Sequence, residues 1–280
     1  MSTTKPAISK STAYTRAATY YVILWGAIAL AGSFVAVDLN RRGMTEAQWG
    51  IITALRSVVL FLVTPLVTRF ADRKRARVKV LQVVLILNGL ATLLYMLPEN
   101  YLGFLVVSAV VYLFGAGMMP LGDSVIVRMA NRHHIQYGRL RLWGSIGYLI
   151  FGMLGGLLWD QIGFRYLYWI GSLITLLAAV MASRLEEPLP EDQAEEEAPA
   201  EVEPDKKTVL QILLSDVVLL LFLIAALLRA SGELMFFTFS GIYIDQLTDQ
   251  AFFTGLINGG AAVLEIPVMM YAQRWIKRFG

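Results

Sequence analysis

The chain has no cysteine and only two histidines, His133 and His134. Disulfides, thiolate metal sites and a cysteine nucleophile are therefore excluded. No acid stands at metal-ligand spacing from the histidine pair, which falls in an expected loop and reads as solvated. No glycine-rich stretch is followed by Lys-Ser or Lys-Thr, so the sequence holds no phosphate-cradling loop for an ATP-driven pump. Charge is scarce, at 16% of 280 residues, against about a quarter in an average soluble domain. The net charge of +3 is too small to point to nucleic acid.

Apolar residues are what the chain has in excess, at 57%, with a mean hydropathy of +0.60. They gather in long segments, and a bilayer core requires about 20 apolar residues of helix. Eight segments qualify: 18–39, 47–68, 80–98, 101–127, 141–159, 165–184, 217–244 and 251–272. The expected fold is an all-α transmembrane bundle. Its first sixteen residues, MSTTKPAISKSTAYTR, read as a polar cytoplasmic tail and not as a signal peptide.

Lysine and arginine fix the expected orientation. With the N-terminus inside, the inner segments carry 19 of the 24 basic residues, the outer loops carry only Arg41, Arg42 and Arg165, and Arg56 and Arg229 lie within spans. That alternation is a strong positive-inside signal, and one missed span would scramble it. Trp25, Trp49, Trp143, Trp159 and Trp169 fall near expected interfaces, where amphipathic rings settle.

Residues 185–207, LEEPLPEDQAEEEAPAEVEPDKK, break the pattern. Acidic, proline-rich and without an aromatic, they cannot bury enough apolar surface to order themselves. The expected organisation is a six-span unit over 1–184, an acidic cytoplasmic linker over 185–207, and two further spans over 208–280. The run from Thr45 to Pro65 that leads into a basic loop returns from Thr248 to Pro267, also ahead of basic residues. Same-direction repeats about an axis normal to the membrane are how some transporters are built. The expectation is that the chain corresponds to about two thirds of a twelve-span protein.

The plan of six spans, linker and further spans resembles the major facilitator superfamily. The loop TRFADRKRARVK carries Asp72 and Arg73, followed by Arg77 and Lys79, as in that family's loop signature, but has Thr68 and Arg75 where the signature has glycines. The run PLGDSVIVRMANRHHIQYGRLRLWGSIG, with Pro120, Asp123, Tyr137, Arg139, Arg141, Trp143 and Gly147, is similar to the junction of spans four and five in one branch. That branch contains phenylpropionate permeases and nucleoside:proton symporters and is distantly lactose permease-like. The resemblance implies a secondary transporter of a small organic solute, commonly coupled to protons, by alternating access. It implies no cofactor beyond a proton gradient.

A charge at the centre of a span costs about 2.5–3.5 kcal/mol on insertion scales, so such residues face the bundle interior and pair. Arg229 and Glu233, four residues apart in span seven, share a helix face. With Arg56 in span two and Glu265 in span eight they are the candidate substrate and proton-coupling residues. The alternative is that they form structural ion pairs. Burial and a neighbouring guanidinium act on a carboxyl in opposite senses. A rocking motion that changes their separation would thus make Glu233 take up or release a proton. Asp72 and Arg73, and Asp123 with Arg128, Arg139 and Arg141, read instead as inner charge clusters that stabilise one state of the cycle. Small glycines at 152, 155 and 156 read as sites of close helix approach.

An integral membrane enzyme would need a His, Asp, Ser or Cys cluster at one interface, and none is present. A channel would want polar rings on a symmetric oligomer. Drug or metabolite efflux by antiport, and a chain inactive by itself, are the remaining alternatives. The expected setting is a bacterial inner membrane, with lipid and a small-molecule substrate as partners, no nucleic acid, and a monomer.

Overall fold

The computed structural model describes residues 8–187, 216–260 and 263. Glu265, Pro267, most of the acidic linker and the basic residues near the C-terminus lie outside the described residues. Among the described residues the chain is all helical, and seven helices are long and apolar enough to cross a membrane. The first span is α1 (Lys10–Leu30) continued through a 3-10 turn at Gly32–Phe34 into α2 (Val35–Arg41). Then come α3 (Glu46–Arg73), α4 (Arg77–Thr92) and, for the fourth span, α5 (Tyr101–Gly115) with α6 (Met118–Arg132). The fifth, sixth and seventh spans are α7 (Tyr137–Ile162), α8 (Leu167–Ala182) and α9 (Val217–Thr248). The eighth begins as α10 over 251–260, and its remainder lies outside the described residues.

The helices outrun their apolar segments because polar residues cap them. Ser9 accepts the Thr12 N–H and starts α1. Thr45 and Gln48 form a reciprocal capping box on α3. Asn100 caps α5 and Asp216 caps α9. The fourth span, expected to be continuous, is broken at Gly117, whose φ of 86° is left-handed. Pro120 falls in the first turn of α6, where its missing N–H costs nothing. In the basic loop, Arg75 takes a φ of 49°. The turn therefore forms in the left-handed region that favours the glycine of the family signature, although an arginine stands there.

Alternating helix directions gather the basic loops at one end, here the basic end, where Lys10 Nζ donates to the His134 carbonyl and Arg16 to that of Arg184. Two apolar cores fill the bundle. One, around Tyr20, Leu81, Val125 and Leu140, lies toward the basic end. The other, around Phe34, Val37, Trp159 and Leu167, lies toward the far end. By contrast α3 and the first half of α9 bury little, and residues such as Phe61 and Leu227 are exposed. Lipid tails are as apolar as these side chains, so no driving force requires their burial.

Helix α7 organises the packing through two glycine faces. One receives α1: a Cβ at Gly147 would lie 2.5 Å from the Val22 carbonyl oxygen, and one at Gly155 would lie 3.1 Å from the Leu30 Cα. The other, about a quarter-turn away, receives α10: a Cβ at Gly156 would meet the Ala251 carbonyl oxygen at 2.7 Å. These contacts are backbone on backbone and cannot relax by a rotamer change. Gly147→Val is accordingly expected to destabilise the folded protein by about 2 kcal/mol or more, read as a lower melting temperature of the purified protein. An unchanged melting temperature would show that α1 and α7 are not in backbone contact there.

Candidate functional site

Between the two cores lies a cavity of about 360 Å3, lined by Trp25, Ser33, Arg56, Arg141, Ser145, Tyr148, Glu233, Phe237 and Asn258. It runs into a second, more apolar space of about 360 Å3 beside Trp49, Asn88, Tyr95, Tyr112 and Tyr168. The first span is distorted where it borders this space: the 3-10 turn at Gly32–Phe34 brings Ser33 Oγ within 3.1 Å of the Tyr148 hydroxyl on α7. The break at Gly117 also lines it. Both irregularities sit where backbone faces a cavity and not lipid, as the bilayer requires.

The cavity gathers candidate residues from three spans. Arg56 from α3 has its guanidinium carbon 5.9 Å above the Tyr112 ring. Glu233 from α9 accepts a hydrogen bond from Arg229 Nη1 at 2.5 Å. Arg229 itself is three-quarters exposed and lies outside the cavity lining. Arg141, expected in an inner charge cluster, lines the same cavity: α7 starts at Tyr137, so Arg141 sits one turn into the helix, 4.1 Å over the Trp25 ring. Its buried Nη1 has no hydrogen-bond acceptor among the described residues. Glu265 lies outside the described residues.

The other cluster residues lie toward the basic end. Asp72 accepts from Arg77 Nε at 2.5 Å, and Arg73 is exposed beside it. Asp123 accepts from the Tyr21 hydroxyl at 2.7 Å. Arg128 is buried on α6 and Arg139 is exposed.

Two sequence readings need correction here. His133 is not solvated: its Nε2 lies 2.7 Å from Glu186 Oε2 with the side chain 8% exposed, and Arg132 reaches the same carboxylate at 3.7 Å. The acidic stretch is also ordered at its start. Leu185 is buried, and the Glu187 carboxylate accepts the Val78 N–H at 3.0 Å, capping α4. Acidic side chains find partners wherever helix ends and arginines are within reach, which composition cannot register.

Sequence reasoning also missed four charged residues at the far ends of spans. Asp38 is buried, accepts from the Tyr168 hydroxyl at 2.5 Å and pairs with Arg42 at 3.1 Å. Arg41, Asp160 and Asp245 bond across to other spans. The only signal was the i, i+4 spacing of Asp38 and Arg42. Among the described residues no group of three His, Asp or Glu could hold a metal ion.

The helical bundle, its interruptions beside a cavity and its internal arginines define a multi-pass integral membrane protein of the major facilitator type. The model of the MFS_1 like family matches residues 14–280, and the chain belongs to that family. It is 29% identical to the maltose permease of Geobacillus stearothermophilus over 93% of its own length and 64% of the permease. It is 22% identical over 85% of its length to an uncharacterized transporter of Bacillus subtilis, of which it covers 57%. Identity to a probable 3-phenylpropionic acid transporter of Escherichia coli is 27%, over 53% of this chain and 38% of that protein. The chain thus spans less than two thirds of these relatives. A crystal structure of the nucleoside transporter NupG, in mutant form, superposes with a TM-score of 0.71 at 11% identity, covering 97% of this chain and 69% of that one.

At the basic end, partial burial pushes the Glu187 carboxyl above its ordinary 4.5, against the hydrogen bond from Val78. The folded state therefore holds this proton more tightly than the unfolded chain. Its contribution is fully present below about pH 4.5 and is lost as pH rises through the raised value. Glu187→Gln keeps an acceptor for Val78 and cannot ionise. Its melting temperature relative to wild type should rise between pH 4.5 and neutrality. A constant difference across that range would contradict the assignment.

Proposed function

We propose that the chain supplies the first six-span half and part of the opposing wall of a secondary active transporter. A small organic solute crosses through the cavity lined by Arg56, Arg141 and Glu233. The observation that carries this reading is the convergence of two guanidiniums and one carboxylate on a single cavity of about 360 Å3 between two packed cores. Unlike charges of that kind are too costly in a bilayer to be kept without a partner or a task. The relatives named as a maltose permease and a probable 3-phenylpropionic acid transporter support the same reading.

The lining suggests how a solute is held. Trp25, Tyr148 and Phe237 offer aromatic faces, while Arg141 Nη1 and Arg56 offer donors to a polar acceptor on the solute. Glu233 is the only carboxylate in the described lining. Its place in the cavity and its pairing with Arg229 assign it the coupling role in this proposal. The basic end faces the cytoplasm, with the N-terminus inside. The protein acts as a monomer in a bacterial plasma membrane, driven by a proton gradient. Asp72, Asp123 and the arginines beside them set the balance between states at that end.

Uptake of a panel of labelled sugars, nucleosides and aryl carboxylates into membrane vesicles, with and without an imposed pH gradient, tests the proposal. Proton symport predicts accumulation driven by an inward proton gradient, and antiport predicts the opposite dependence. Glu233→Gln should abolish accumulation while leaving solute counterflow within a few-fold of wild type. Unchanged accumulation and unchanged pH dependence in that variant would refute the assignment of Glu233.

A further inference from the structure

We infer that the solute held in the charged cavity carries an apolar arm about the size of an aryl ring, and that the second space is the pocket that takes this arm. The inference rests on the proposed function and narrows its substrate to an elongated, amphipathic solute.

The two spaces are continuous. Ile28, Gly32, Ser33, Arg56 and Phe237 line both. Arg56 therefore stands at the neck between them, and it is the only charged residue in the described lining of the second space. A polar group beside Arg56 has the charged cavity on one side and the apolar space on the other. Each space, at about 360 Å3, lies by itself near the lower bound of ligand pockets, about 300–1,000 Å3.

The second space is walled mainly by the first six-span unit, and its polar side chains have spent their donor hydrogens on the protein. Trp49 Nε1 donates to the Thr238 carbonyl and Thr53 to the Trp49 carbonyl, each at 3.0 Å. Thr92 and Thr175 donate to carbonyls one turn earlier in their own helices, each at 2.8 Å. The Tyr95 hydroxyl donates to Ser108 Oγ at 2.9 Å, and the Tyr168 hydroxyl donates to Asp38. In the charged cavity the reverse holds. The buried Arg141 Nη1 and Trp25 Nε1 both lack an acceptor among the described residues.

Open donors on one side of Arg56 and spent donors on the other sort a guest by its two ends. An acceptor-bearing head fits the charged cavity, and an apolar group fits the space beside it. Water is a poor occupant there, because an ordered water needs about two to four polar partners. An aryl ring needs none, and it meets side chains that are already fixed. Tyr95 and Tyr168 stack at 5.3 Å and are each anchored through the hydroxyl. A wall fixed in advance loses little freedom when a guest packs on it.

Equilibrium binding of matched pairs to the purified protein tests the inference: glucose against phenyl β-glucoside, and acetate against phenylacetate. In at least one pair the phenyl member should bind about tenfold or more tightly than its partner. Thr53, one turn before Arg56 on α3, lines the space. Thr53→Phe fills it and should reduce that ratio about threefold or more. Leu60→Ala enlarges it and should shift the preference from a phenyl to a naphthyl arm. Photolabelling needs no substitution: 4-azidophenyl β-glucoside or 4-azidophenylacetate should attach at lining residues of α3, α4, α5 or α8. No binding of either phenyl probe, a ratio near one in both pairs, a ratio unchanged in both variants, or attachment confined to exposed residues such as Phe61 and Leu227 would overturn the inference. The predicted ratios and labelling without transport of any solute would leave the pocket standing and count against the proposed function alone.

Discussion

A guanidinium set over an aromatic ring recurs in this bundle. Arg41 lies over Phe164, Arg42 over Phe104 and Tyr168, Arg56 over Tyr112, and Arg141 over Trp25. In a bilayer an arginine cannot be solvated by water, and its flat, weakly hydrated head is well suited to a ring face. The arrangement leaves the in-plane N–H donors free to point elsewhere. At Arg41 they point to Asp245 and join α2 to α9. At Arg141 one of them, beside a cavity, has no acceptor among the described residues. The same physical device thus serves a structural contact in one place and an available donor in another.

Glycine provides the second constraint. Helix α7 touches α1 on one glycine face and α10 on the other, so a single rigid element connects the core of the first six spans to the helices after the linker. Backbone contacts of this kind have little compliance, and a packed interface of this sort changes by separating, not by deforming. Along α9 the buried residues lie between Thr238 and Asp245, and the helix before them is largely exposed.

The spans were legible because apolar runs and alternating basic loops are one-dimensional signals. Arg56 and Glu233 stood out for a related reason, since a charge in mid-span is costly, and both line the cavity, whereas Arg229 lies outside its lining. Asp38, Arg41, Asp160 and Asp245 did not stand out, since a charge near a span end is readily assigned to the interface. Their partners lie more than a hundred residues away for Arg41 with Asp245 and for Asp38 with Tyr168. The place of Arg141 was missed by about one helical turn, the usual error in a helix start. His133 was misread because its partner, Glu186, belongs to a stretch whose composition signals disorder. The left-handed turn at Arg75 shows the converse: the loop geometry persists where the residue that would favour it is absent.

The central claim is that the cavity between the two cores holds the solute through its guanidiniums. Equilibrium binding of a transported, labelled solute to the purified protein tests it most directly. Arg141→Lys keeps the charge but loses the planar head that stacks on Trp25 and presents fixed donors. The account predicts that this change raises the Kd by about tenfold or more with the protein still folded. An unchanged Kd would contradict it.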